Sequence, residues 1–206
     1  MAVRLPDPFT HPGMVPGFLS APLTDYEPLI QDELPNGKVL EVKTSTQYWG
    51  LTITYPPLYP DEYKIISSAI MKAKNTDGVI QVALPQYLNM HVIGNESLTT
   101  IAAGQKGNTL VINNASGLSG NPHVGDLFKL STHEKVYKIV DFERVSPSQL
   151  RLELYPNLLI TTNGTEKPVF NNLLFNMKLV GRTSIQENLN VDGMYTDVSY
   201  TLREAV

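Results

Sequence analysis

The chain has 206 residues, 42% of them hydrophobic and 17% charged, with a net charge of -4 and a sequence pI near 5.5. That length can bury a real core, as one large β-rich domain or two small ones, and the composition argues against disorder. The acidic balance argues against a phosphate-binding surface, and the absence of cysteine excludes disulfides, thiol catalysis and thiolate metal sites.

Residues 1–37 carry seven of the fifteen prolines: Pro6, Pro8, Pro12, Pro16, Pro22, Pro28 and Pro35. Proline at that spacing forbids a long helix and disfavours a central strand, so an extended, stiff arm is expected. It is either loosely ordered or packed along its own domain or a neighbouring subunit. Phe9, Met14, Val15, Phe18 and Leu19 supply more apolar side chain than a solvated arm needs. Asn36-Gly37 marks a tight turn.

Lys38 to Tyr55 is rich in β-formers and free of proline, and it reads as one long strand. Leu40, Val42, Thr44, Thr46 and Tyr48 share one parity, and Trp49, Leu51, Ile53 and Tyr55 take the other. A bulge would flip the parity there, as would a strand that crosses from one packing surface to another. Trp49 is expected either as a core residue or as an exposed anchor at a subunit interface. Tyr55-Pro56-Pro57 stops the strand.

A helix follows over 60–74. Pro60 suits its first position, Asp61 and Glu62 suit its positive end, and Lys72 and Lys74 suit its last turn. Tyr63, Ile66, Ile70 and Ala73 form its apolar stripe, and Asn75-Thr76-Asp77-Gly78 ends it. Val79 to Leu84 resumes as strand.

From Gln86 to Lys167 the texture changes to short alternations separated by Gly and Asn. Strands are expected at Leu98–Ala102, Asn108–Ile112, Leu127–Leu130, Lys135–Phe142 and Leu150–Tyr155, which suggests a small OB-like barrel. Val169–Val180 and Met194–Arg203 are longer alternating runs, with a turn at Asp192-Gly193. The expected fold is mainly β with one short helix. It comprises a discontinuous domain, 1–84 plus 169–206, and a compact β-domain inserted at 85–168.

No catalytic or metal constellation emerges. His11, His91, His123 and His133 are far apart in sequence, and His133-Glu134 lacks the second histidine of a zinc-protease motif. Gly104-Gln105-Lys106-Gly107-Asn108 lacks the spacing and the helix of a phosphate loop, so it reads as a hairpin turn. Gly125-Asp126 reads as a turn into a strand. No cofactor is expected. No basic n-region precedes an apolar run and no stretch approaches the length that spans a bilayer, so a soluble product made in a cytoplasm is expected.

Several stretches carry a likeness in their order and spacing. They are Arg4-Leu5-Pro6-Asp7-Pro8, Asp32-Glu33-Leu34-Pro35-Asn36-Gly37-Lys38-Val39, Gln47-Tyr48-Trp49-Gly50 and Tyr59-Pro60-Asp61-Glu62-Tyr63. They continue with Ala103-Gly104-Gln105-Lys106-Gly107, the run from Gly125 to His133, Glu166-Lys167-Pro168-Val169-Phe170 and Leu202-Arg203-Glu204. With these the chain resembles the distal tail proteins (Dit) of long-tailed siphophages, in the compact variety with an inserted OB-like domain.

The resemblance implies a β-sandwich or half-barrel ring domain with the OB-like insert projecting outward, and a non-enzymatic role. It implies a six-fold ring at the distal end of the tail tube, in the virion tail. Its partners would be further copies of itself, the tail tube protein and the tip or hub proteins, after synthesis in the host bacterial cytoplasm. A closed ring needs two different surfaces on each subunit. Tyr48 and Trp49 on the long strand, with Phe9 and Phe18 in the arm, are the candidate interface residues.

A carbohydrate-binding adhesion module is the alternative, acting through the inserted barrel. It would use Tyr87, Phe128, Tyr137, Phe142 and Tyr155, most of which sit at positions a core would claim. A single-strand nucleic-acid binder would need a basic funnel. Lys106, Lys129, Lys135, Lys138, Arg144 and Arg151 are scattered among acids, so no specific nucleic acid is expected.

Overall fold

The computed structural model describes residues 2–87, 91–181 and 187–206. In chain order its elements are β1 (Val3–Arg4), β2 (Leu23–Tyr26), β3 (Leu29–Glu33), β4 (Val39–Lys43), β5 (Tyr48–Thr54), α1 (Pro60–Lys74) and β6 (Val79–Ala83). There follow β7 (Ile93–Gly94), β8 (Thr100–Ile101), β9 (Gly107–Asn113), β10 (Leu118–Ser119), β11 (Leu127–Leu130), β12 (Val136–Ser146) and β13 (Gln149–Leu158). β14 (Pro168–Val169), β15 (Leu174–Leu179) and β16 (Ser199–Glu204) complete the chain. The protein is mainly β, with one α-helix among the described residues and a curled half-barrel sheet. It divides into two compact units. Residues 1–80 join 177–204 and Val206 in the first, and residues 81–176 with Ala205 make the second.

The first unit is built on a six-stranded sheet of order β1-β6-β15-β16-β5-β2. Both edge strands, β1 and β2, come from the proline-rich segment, where a missing N–H leaves no ladder bond unmade. The arm is ordered. The Asp7 carboxylate accepts bonds from the Arg4 guanidinium (3.0 Å) and from the Phe9 and Thr10 N–H groups (3.0 and 2.9 Å), which fixes a turn. Leu5 and Val15 are buried in the core.

The single long strand expected over 38–55 is two strands. β4 ends at Lys43 and, among the described residues, pairs only with β3, as a separate two-stranded ribbon; β5 starts at Tyr48 and enters the large sheet. The parity flip therefore marks a change of sheet. Both halves have strong β propensity, which hides the break between them. The Asn36-Gly37 turn closes the ribbon: Gly37 takes φ +78°, its N–H donates to Leu34 O (2.8 Å), and the Lys38 N–H donates to Asn36 Oδ1 (3.0 Å). An L side chain at 37 would be strained by that φ.

α1 spans the expected residues and buries Tyr63, Ile66, Ile70 and Ala73. Its entry is fixed by Glu62, whose carboxylate accepts the Tyr59 N–H at 2.7 Å. Glu62→Ala is expected to cost about 1 kcal/mol, by loss of this bond and of the favourable charge at the helix start. Urea denaturation would show it as a lower midpoint at an unchanged slope.

The second unit contains a six-stranded sheet of order β14-β11-β12-β13-β9-β8 and the small β10-β7 pair. Leu110 and Ile112 on β9 and Leu150, Leu152 and Leu154 on β13 alternate into its core. The β12–β13 hairpin is longer than the alternation suggests, because the outer half of β12 is largely solvated and its ladder shifts register between Ile139 and Asp141. The single run expected over 169–180 is interrupted. Asn172 adopts φ +52° between β14 and β15, a conformation that asparagine tolerates better than most residues.

Candidate functional site

The ribbon of β3 and β4 in the first unit is largely exposed. Its register pairs Ile30 with Val42 and Asp32 with Leu40. Since facing partners share a side of the ribbon and alternate along it, these four side chains lie on one face. Ile30 is 62% exposed, Val42 64% and Leu40 43%. The other face is mixed, with Leu29 and Val39 among Gln31, Glu33, Glu41 and Lys43, and partly self-paired: Gln31 donates to Glu41 at 2.6 Å, and Lys43 pairs with Glu27. A two-stranded ribbon with an uncovered apolar face is marginal by itself.

A second feature of this unit is a hollow of about 260 Å³ on the sheet face opposite the core, over β2, β5 and β16. Tyr26 stacks on Tyr48 with ring centroids 5.2 Å apart and planes at 16°. The Tyr26 ring lies over Gly50, where an added Cβ would sit 2.3 Å from Tyr26 Cε2. Glycine is required for that close approach. The Arg203 guanidinium lies 3.8 Å from the centre of the Tyr48 ring, a cation–π contact. Thr52 and Val180 complete the rim.

The four residues singled out from sequence are not gathered into one patch. Tyr48 is half-buried and forms part of this hollow. Trp49, one residue on, points to the opposite face and is 4% exposed, a core residue of its own unit. Phe9 is exposed on the N-terminal turn. Phe18 is half-buried, edge-on to Tyr55 with centroids 5.5 Å apart. Tyr26 and Arg203 were not legible as partners of Tyr48, because strand pairing across the sheet brings them together.

In the second unit, fold and chemistry compete for the same polar residues. Among the described residues no group of three or more His, Asp or Glu is arranged to hold a metal ion. His91 and His123, distant in sequence, stack with centroids 3.5 Å apart, and His91 Nδ1 lies 3.0 Å from Asp126 Oδ2. The same carboxylate oxygen accepts the His123 N–H at 2.8 Å, so Gly125-Asp126 is the turn its sequence suggests. Gly104-Gln105-Lys106-Gly107 is likewise a turn. Gln105 bonds both backbone groups of Val111, its Nε2 donating at 2.9 Å and its Oε1 accepting at 2.6 Å. Of the aromatics an adhesion site would use, Phe128 and Tyr137 are fully buried.

His133 and Glu166 form a buried polar pair, 3% and 1% exposed. His133 Nδ1 is 3.1 Å from the Tyr137 hydroxyl; its Nε2 is 3.9 Å from Glu166 Oε1, beyond hydrogen-bond reach. Burial pushes the His133 imidazole below its ordinary 6.5, against the pull of Glu166, and Lys129 adds to the fall. Burial works to raise Glu166, but the N–H groups of Asn163 and Gly164 (2.7 and 2.8 Å) and the neighbouring His133 outweigh it and hold the carboxyl below its ordinary 4.5. Both groups thus bind protons more weakly folded than unfolded. The His133 contribution is complete above pH 6.5 and is lost as pH falls below it; that of Glu166 is lost below 4.5. The melting temperature is therefore expected to fall on acidification from about pH 7.5 to about pH 5, and His133→Gln to flatten that fall. Thermal melts across this range check it; an unchanged slope in the variant would refute it.

Comparison with known proteins agrees with the resemblance. Residues 5–87 match the family model described as distal tail protein pb9, A domain, N-terminal, and residues 88–173 match that of distal tail protein pb9, B domain. The distal tail protein pb9 of Escherichia phage T5 is 50% identical over 207 residues, covering 99% of this chain and 100% of that protein. A chain with this β architecture, matched along nearly its whole length, belongs to the distal tail protein pb9 family and is a structural protein of the phage virion tail.

Proposed function

We propose that this protein is the subunit of a closed hexameric ring at the distal end of the tail tube, where it joins the tube to the tip or baseplate, and that it does so without enzymatic activity. In this reading residues 1–84 plus 169–206 form the ring and 85–168 are an OB-like insert. The observation that carries it is the β3–β4 ribbon, whose apolar face a single copy leaves uncovered. Heterologous packing in a ring covers such a face on every subunit at once. Phe9, Phe18 and Tyr48 would face neighbouring subunits, with Trp49 supporting Tyr48 from the core. The net charge of -4 suits a passage through which DNA must slide without sticking.

Immunogold labelling of purified phage particles tests the reading. Gold in a tight band where tube meets tip is expected. Gold on side fibres or on the capsid would overturn it. Titration with host-surface glycans and with single-stranded DNA is expected to show no tight binding, and saturable glycan binding would favour an adhesion role instead.

A further inference from the structure

We propose that the β3–β4 ribbon of one copy docks in the Tyr26–Tyr48–Arg203 hollow of the next copy, with Asp32 meeting Arg203. The inference rests on the ring reading and names the two surfaces that such a ring requires.

Three observations point the same way. The first is polarity. The ribbon face that carries Ile30, Val42 and Leu40 is apolar apart from Asp32, and the hollow is floored by two tyrosine rings and Gly50 with Val180 at its rim. Apolar side chains on an aromatic floor bury area on both partners, and tyrosine and arginine are the residues that interface centres favour.

The second is charge. Arg203 lies over the Tyr48 ring and pairs with no carboxylate among the described residues. Asp32 sits amid the three apolar side chains, also without an ion pair among the described residues. A guanidinium positioned by a ring and a carboxylate on a ribbon complement each other in sign, and inside a closed contact water would screen the pair little.

The third is topology. Ribbon and hollow are different surfaces of one unit, so docking one on the other is head-to-tail, the geometry that closes a ring. Two ribbons pairing with each other would give an isologous dimer instead. The opposite ribbon face, mixed in character, with Val39 and Leu29 beside Gln31–Glu41 and Lys43–Glu27 already paired, is left for solvent.

The chain has no cysteine, so introduced thiols report contacts without background. Phage carrying both Asp32→Cys and Arg203→Cys in the full-length protein would be purified, oxidised and run without reductant. The expected result is a ladder of covalent multimers that needs both cysteines and collapses on reduction. A dimer formed by Asp32→Cys alone would mean ribbon against ribbon and overturn the proposal. A cross-link to a different tail protein would overturn it too, by giving the hollow another occupant. Absence of any ladder on particles whose gold label still marks a multi-copy band would sink the docking while leaving the ring intact. Label elsewhere on the particle would sink the ring reading itself.

Should the double-cysteine protein fail to reach particles, Leu40→Cys with Thr201→Cys, the latter on β16 in the lining of the same hollow, tests the contact beside it. Charge reversal gives an independent readout. Asp32→Arg and Arg203→Asp are each expected to lower particle yield at least about tenfold, and the two together to restore most of it. Additive losses in the double variant would contradict the pairing.

Discussion

Tyr137→Ala is expected to destabilise the second unit by about 3–5 kcal/mol, the range for removing a large buried aromatic side chain. The ring is fully buried on β12, with its centroid 5.7 Å from that of Phe128. Its hydroxyl lies 3.1 Å from His133 Nδ1 and accepts the Leu159 N–H at 3.2 Å, so it ties the His133 turn to the end of β13. Tyr137→Phe keeps the packing and loses the hydroxyl's bonds, for about 1 kcal/mol. Calorimetry separates the two contributions, because the alanine variant should lower the melting temperature of this unit by more than about 10 °C. Equal losses in the two variants would mean that the hydroxyl, and not the ring, holds the unit together.

The second large effect concerns the helix. Ile70 is fully buried on α1, whereas Met71, the next residue, is exposed. Ile70→Ala is expected to cost about 2–5 kcal/mol through lost apolar burial and the cavity left behind. Met71→Ala should stay within about 0.5 kcal/mol of the parent. Denaturant titration of both variants checks the contrast. Similar losses at 70 and 71 would contradict packing of the stripe as what holds this element, because alanine raises helix propensity at both positions.

The helix was legible because every local signal agreed: Pro60 and Glu62 at the start, lysines at the end, and a stripe at helical spacing. The β3–β4 turn was legible from Asn36-Gly37, since glycine accepts the positive φ that the turn takes at 37. The break between β4 and β5 was not, because both strands are made of the same β-forming residues and only the parity flip marks the change of sheet. The family likeness was legible from short stretches in order and spacing. The surfaces that matter for assembly were less so. Tyr26, Tyr48 and Arg203 meet only because β2, β5 and β16 are neighbours. Asp32 gained significance only once the register set it on the same face as Ile30, Val42 and Leu40. The stacked His91 and His123 likewise depend on how the loops of the second unit return to one another.

Copies of this chain are proposed to close a ring at the end of the tail tube. Averaged electron cryo-microscopy images of the distal tail, at the level marked by the gold label, test it most directly. The account predicts six copies in one closed layer, each in the same relation to the next. A single copy, or copies related by two-fold pairs without closure, would contradict it.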